Sequence, residues 1–298
     1  MSTRPLLTGA FLQLNASHNT EPADRMRDRL LAMQSIGLDL AIVQYCAYNG
    51  VDLSVATERV FDAAESLGMR VWLGTPFDDS RWWQMAWSPF YLAAFEQPAA
   101  WAAYEAVKRF ANRPSLAGAY IPYETNGLSL PWAMGNFYGA IAKACKRAKP
   151  GLPVMISPFT NLVPGNVGSL PPVVLAGWWD AALGKAGVDV LAWQDGVGAC
   201  EAQLGQVSPT LDALAWATRK HGVRLWADAE AFLRTTPLDQ PFAATAAPWD
   251  RFRQQLEAEA PWVERLVAFD FNDYMDPTAG PDQAALYQAY QDHRATFA

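Results

Sequence analysis

A single (β/α)8 barrel spanning residues 1–298 is the fold class that this sequence predicts, on three observations. Eight short apolar, β-rich runs alternate with eight amphipathic segments along the chain. Several of those segments end in glycine just before the next run, at Gly37, Gly68, Gly187 and Gly222. That is the position tight helix-to-strand turns favour, because glycine alone enters the left-handed region freely. No GxGxxG or GxxxxGK sequence is present, so the competing doubly wound sheet lacks its phosphate loop.

The first run, 9–15, carries Gln13 and Asn15 near its end and hands over to a helical pattern at 23–36. Run 38–47 carries Gln44 and Tyr45 and precedes a helix over 54–67. Run 70–77 leads into a Trp-rich connection, 78–98, before the helix 99–111. Run 116–124 finishes in Tyr123-Glu124 and is followed by a helix over 133–149. A loop at 160–172 separates run 153–159 from the helix 174–186. Run 188–195 ends in Trp193-Gln194-Asp195, with a helix at 209–221 behind it. Run 224–230 supplies Asp228 and Glu230, then a loop at 233–248 and a helix over 249–260. Run 266–274, with Asp270, Asn272 and Asp273, and a helix at 283–294 complete the series. The long connections all follow strands, and that is the face on which a barrel builds its pocket. Neither a repeat nor a linker divides the chain.

Bulk composition narrows the function. Half the residues are hydrophobic and 18% are charged, which is a globular balance. A net charge of −7 and the lack of any Lys/Arg stripe argue against a nucleic-acid partner. The three Cys form neither a CxxC nor an even framework, so neither disulfides nor a zinc site is expected. With only three His, none of them paired on a strand, a metal-dependent hydrolase is disfavoured; no cofactor is expected. The Lys residues fall on helices and loops, which disfavours a Schiff-base aldolase. No apolar run is long enough to span a membrane, and the start lacks a signal-peptide core. The expectation is a chain that does not enter the membrane. It would be cytoplasmic, or exported if a leader precedes the sequence given. Oligomeric state is left open.

Carboxylates and amides gather at the predicted strand ends: Gln13, Asn15, Gln44, Glu124, Asp195, Asp228, Glu230 and Asn272. Two Glu from different strands facing one cleft suit glycosidic bond cleavage. One delivers a proton to a poor leaving oxygen, and the other attacks the sugar or activates water. A separation of about 5–5.5 Å means retention and roughly 6.5–9.5 Å means inversion. Each group also has a plainer reading. Glu124 could belong to a surface ion pair, Asp228 shares the face of Glu230 by the two-residue strand period, and Asp195-Gly196 could be a simple Asx turn. Among the 13 Trp, Trp82, Trp87 and Trp132 are candidate platforms for the C–H faces of sugars. Trp193 is a candidate contact too, although packing between barrel and helices explains it as well. Gln13, Gln44 and Tyr45 are placed to orient hydroxyl groups, or to bond only to each other.

Glu at the ends of strands four and seven resembles the large clan of retaining (β/α)8 glycoside hydrolases. That resemblance implies Glu124 as acid/base and Glu230 as nucleophile, with Tyr123 standing where the clan has Asn. The segments Gly9-Ala-Phe-Leu-Gln13, Ile42-Val-Gln44-Tyr45 and Trp193-Gln-Asp195-Gly-Val-Gly198 also resemble a group of bacterial barrels of unknown function related to glycosidases. In that likeness Asp195 is a third catalytic candidate, as an acid or as a hydroxyl acceptor. The expected activity is O-glycoside hydrolysis, endo-acting on a bacterial oligo- or polysaccharide. The alternative is a carbohydrate-binding barrel without turnover.

Overall fold

A computed structural model describes residues 4–125, 128–159, 161–163 and 169–297. Its parallel strands are β1 (Leu7–Leu12), β2 (Leu40–Val43), β3 (Arg70–Gly74), β4 (Leu116–Ile121), β5 (Val154–Ile156), β6 (Val190–Gln194), β7 (Arg224–Glu230) and β8 (Arg265–Phe269). Each pairs with its neighbours in chain order, and β1 closes on β8 with Leu7 opposite Leu266. Outside lie α1 (Ala23–Ser35), α2 (Ser54–Leu67), α3 (Pro89–Phe110), α4 (Pro131–Ala148), α5 (Pro172–Ala186), α6 (Leu204–Lys220), α7 (Trp249–Glu259) and α8 (Pro281–Ala295). This is the (β/α)8 barrel expected of the sequence.

The two-residue strand period sorts the side chains into layers. Phe11, Ile42, Trp72, Tyr120, Met155, Ala192, Trp226 and Val267 pack together inside the barrel. Trp72 and Trp226 meet there with ring centroids 5.3 Å apart. Gly118 admits the Trp72 ring, because a Cβ at that position would lie 2.4 Å from it. The intervening residues face the helices, and Trp193 is one of these. Two residues beyond the inner layer come Gln13, Gln44, Ser157, Gln194 and Asp228. They form a polar collar at the C-terminal rim.

The strands stop earlier than their apolar runs, since residues past the last ladder bond turn out into loops. The connection at 78–98 is a larger departure. It folds into a short helix, Trp82–Met85, and the first turns of α3. Pro98 reads as a break in sequence, yet it lies inside α3. Pro98 is exposed, and so is Ala94, the residue whose carbonyl a proline at this position leaves without its helical donor. The true start is Pro89 at the first helical position, with the Ser88 hydroxyl accepting from the Tyr91 amide. In the loop at 233–248 a ribbon pairs Phe232 with Ala246 and Arg234 with Ala244.

Candidate active site

Glu124 follows β4 by three residues and is held from two directions. Trp82 Nε1 donates to its carbonyl at 2.7 Å, and Gln194 Nε2 donates to its Oε1 at 3.0 Å. The same Gln194 amide donates to the Ser157 carbonyl at 2.9 Å, which fixes its orientation. Desolvation pushes the Glu124 carboxyl up to about 7, against the Gln194 bond and with help from the negative charge of Glu201. An acid with that value is half protonated at neutral pH.

Glu230 ends β7 on the same rim and is buried. Its Oε2 accepts the Ala199 amide at 2.6 Å. Arg251 donates to the Glu230 carbonyl at 3.2 Å and also to that of Phe232, so the cation holds the backbone here. Burial, followed by the charge of Asp195, drives the Glu230 carboxyl well above the ordinary range; the Ala199 bond opposes this. Asp228 sits one layer deeper, fully buried, accepting from Ser157 Oγ at 2.8 Å. It pairs in register with Gln194, which ties the two strands bearing the site together.

Other expected site residues serve the frame. Asp195 is fully buried, with Oδ1 accepting from the Val197 amide at 2.9 Å and Oδ2 accepting from Gln255. That is the Asx-turn alternative, and it withdraws Asp195 from contact with a bound sugar. Asn15 caps a 3-10 turn at Ala16–Asn19. Asn272 binds the Gln13 backbone, accepting its amide at 2.8 Å and donating to its carbonyl at 3.2 Å. Gln13 Nε2 donates to the Tyr45 hydroxyl at 3.2 Å, and Tyr45 stacks on Tyr48 at 4.8 Å. Gln44 keeps a buried Oε1 that accepts no bond from the described residues, so this collar amide has spare capacity.

The aromatic expectations divide. Trp82 is fully buried among Tyr91, Tyr123 and Phe137, so it supports the site and offers no open face. Tyr123 points outward into the same cluster, packing on Phe77 and Phe137, because it precedes inward-facing Glu124 by one residue. Trp193 lies in the outer core by the same parity. Trp87 is exposed and shares a shallow cleft with Trp83, Leu128, Phe159 and Glu124. Trp132 is exposed on the first turn of α4, outside that cleft. Sequence reasoning passed over Trp83, Gln194 and Ser157. Gln194 was recoverable from strand parity with Val190 and Ala192, whereas nothing local distinguishes Trp83 from Trp82.

Glu230 belongs to a buried cluster of acids. Glu259 on α7 is fully buried beside Asp195, and neither of its oxygens accepts a bond from a donor in the described residues. Desolvation and the negative charge of Asp195 hold Glu259 well above its usual value, so the native state keeps a proton that the unfolded chain releases above about 4.5. Stability from this group is full below that unfolded value and is lost as pH rises toward the folded one. Melting followed by circular dichroism from pH 5 to 9 should therefore show Tm falling with pH. Glu259→Gln keeps a donor without a proton to lose and should flatten that fall. An unchanged slope in the variant would place the titrating group elsewhere.

Among the described residues, no group of three or more His, Cys, Asp or Glu is arranged to hold a metal ion. No described helix is long and apolar enough to cross a membrane. A groove of about 990 Å³ on the outside of α3, α4 and α5 reaches none of the rim carboxylates.

A closed barrel of eight parallel strands ringed by helices defines the class, the (β/α)8 barrels, and solved structures bear out the fold. The chain is similar to a suspected α-L-fucosidase from Bacteroides thetaiotaomicron VPI-5482, with TM-score 0.80, 20% identity, and coverage of 99% of this chain and 95% of that one. It is also similar to an endo-β-1,4-mannanase from Thermotoga petrophila, with TM-score 0.62, 11% identity, and coverage of 100% and 78%. A β-galactosidase from the psychrophilic Marinomonas ef1 matches with TM-score 0.67 and 11% identity over 97% of this chain and 59% of its own. Comparison with curated proteins gave no match. The chain belongs to the DUF4434 family, a domain of unknown function, whose model matches residues 7–284.

Proposed function

We propose that residues 1–298 form one catalytic domain, an O-glycoside hydrolase that retains configuration. Glu124 acts as acid/base and Glu230 as nucleophile on an oligo- or polysaccharide. The observation that carries this reading is Glu124 itself. It is a strand-end carboxyl pushed to about 7, oriented by Gln194 and bordered by an aromatic cleft. A general acid works best with a value near the operating pH, since it must be protonated and still give up its proton. Glu230 approaches the sugar as the second carboxylate. Positive charge developing on the ring favours its ionised form at the moment of attack.

The cleft beside Glu124 receives the leaving group, because the acid must touch the glycosidic oxygen. Trp83 and Trp87 then bracket the departing sugar, which suits cleavage inside a chain. Trp83→Ala should raise KM on an oligosaccharide roughly tenfold with little change in kcat, the loss of about 1–1.5 kcal/mol of aromatic contact. Equal KM values for variant and parent would remove Trp83 from the site.

A carbohydrate-binding barrel without turnover is the second reading, favoured by the burial of Glu230, which stabilises its neutral form. Screening aryl glycosides and reducing-end release from polysaccharides with the parent chain and with Glu124→Gln separates the two. Turnover lost in the variant supports the hydrolase; binding by the parent without release supports the alternative.

A further inference from the structure

Glu230 depends for its hydrogen bond on a loop it does not belong to. The segment after β6 folds back on itself, with the Glu201 and Ala202 amides both donating to the Gly196 carbonyl at 2.8 and 2.9 Å. This turn aims the Ala199 amide at Glu230 Oε2. The approach needs Gly198. A Cβ there would lie 2.3 Å from the Phe232 carbonyl and 2.8 Å from Glu230 Cβ, so the loop would have to back away. At its root the loop is anchored by Asp195, whose carboxylate takes the Val197 amide on one oxygen and Gln255 on the other. Glu259 lies against the same carboxylate, and Arg251 donates to the Gln255 side-chain oxygen. All three side chains, Asp195, Gln255 and Glu259, are fully buried.

We infer that Asp195, Gln255 and Glu259 are positioning residues, a buried anchor that holds the 195–200 loop so that the Ala199 amide grips the Glu230 carboxylate. The role assigned to Glu230 rests on the hydrolase reading; the grip itself does not. Buried carboxylates of this kind are costly unless they are bonded. The arrangement therefore uses Gln255 and a protonated Glu259 to satisfy Asp195, and Asp195 to fix a backbone donor. The groups facing Glu230 are Asp195 from the loop root, Asp228 from its own strand, Arg251 and Glu259 from α7, and Tyr274 after β8. The Ala199 amide is the donor its carboxylate receives.

The test is a titration of the full chain labelled with carboxyl-13C glutamate, read by NMR, with the Glu230 signal identified by its loss in Glu230→Gln. Gln255→Leu and Glu259→Leu should raise the Glu230 midpoint by about one pH unit, a roughly tenfold shift in its proton equilibrium. Glu259→Gln, which keeps a donor toward Asp195, should leave it in place. Where turnover is measurable, the acidic limb of the pH–rate curve should move with the midpoint and kcat should fall while KM holds. Should the leucine variants fail to fold, Gln255→Asn decides, since it draws the amide back from Asp195 by one carbon while keeping its polarity; Gly198→Ala reports on the grip alone. A Glu230 midpoint that stays put in the folded anchor variants overturns the inference. Loss of the hydrolase reading would show differently, as unchanged turnover in Glu230→Gln while the Glu230 midpoint still moves in the leucine variants.

Discussion

Glu124→Gln is expected to lower kcat roughly 10²–10⁴-fold on glycosides with poor leaving groups, the range a positioned general acid supplies. Activity toward dinitrophenyl glycosides should fall far less at the bond-breaking step, because dinitrophenolate departs without a proton. The pH profile gives a second signature. Glu124 must be protonated to act, and burial places its value at about 7, so the parent should lose activity as pH rises through that value. The glutamine variant should lack that alkaline limb on activated substrates. The structural reason is local: Gln194 holds the carboxyl in place with one neutral hydrogen bond, and the charge of Glu201, which raises it, carries the same sign. A cation here would have pulled the value down and left a poor acid at neutral pH. An unaltered alkaline limb in Glu124→Gln would assign that ionisation, and the acid role, to another group.

Much of this frame was legible in the chain because barrels repeat a simple rule. A strand of period two that must be buried on both faces writes itself as a short apolar run. A helix ending in glycine before the next run marks the turn. Those signals placed Glu124 and Glu230 at the C-terminal ends of their strands, where the structure also has them. They failed where a side chain's direction depends on exactly where a strand leaves the sheet. Tyr123 and Trp193 look like cleft residues beside Glu124 and Asp195, yet both face the helices by parity. Trp82 and Trp83 are adjacent and chemically alike. One is fully buried with its Nε1 on the Glu124 carbonyl and the other is about half exposed, a difference set by how the Trp82–Met85 turn docks. Asp195 misled for a different reason. A carboxylate at a strand end reads the same whether it meets substrate or ties down the loop behind it. Only the distant Gln255 and Glu259, some 60 residues on, distinguish the two cases.

Glu230→Ala should depress kcat by about 10⁴-fold or more, the scale seen when a covalent nucleophile is removed. Activated leaving groups should not restore it, in contrast to Glu124→Gln, because the missing step is the attack itself. Retention predicts a glycosyl ester on this carboxylate. A 2-deoxy-2-fluoro glycoside with a dinitrophenyl leaving group should trap it, since the fluorine slows the second, hydrolytic step most. Cleavage after Arg224 and Arg234 would release residues 225–234 carrying both Asp228 and Glu230, and fragmentation of the labelled peptide reports which one bears the sugar. Label on Glu230 is the expected result. Asp228 lies a layer deeper, fully buried with its Oδ2 occupied by Ser157, and a sugar carbon would have to displace the collar to reach it. Label on Asp228 would transfer the role two residues down the strand. No label, together with a product formed in the inverted configuration, would mean that Glu230 activates water instead.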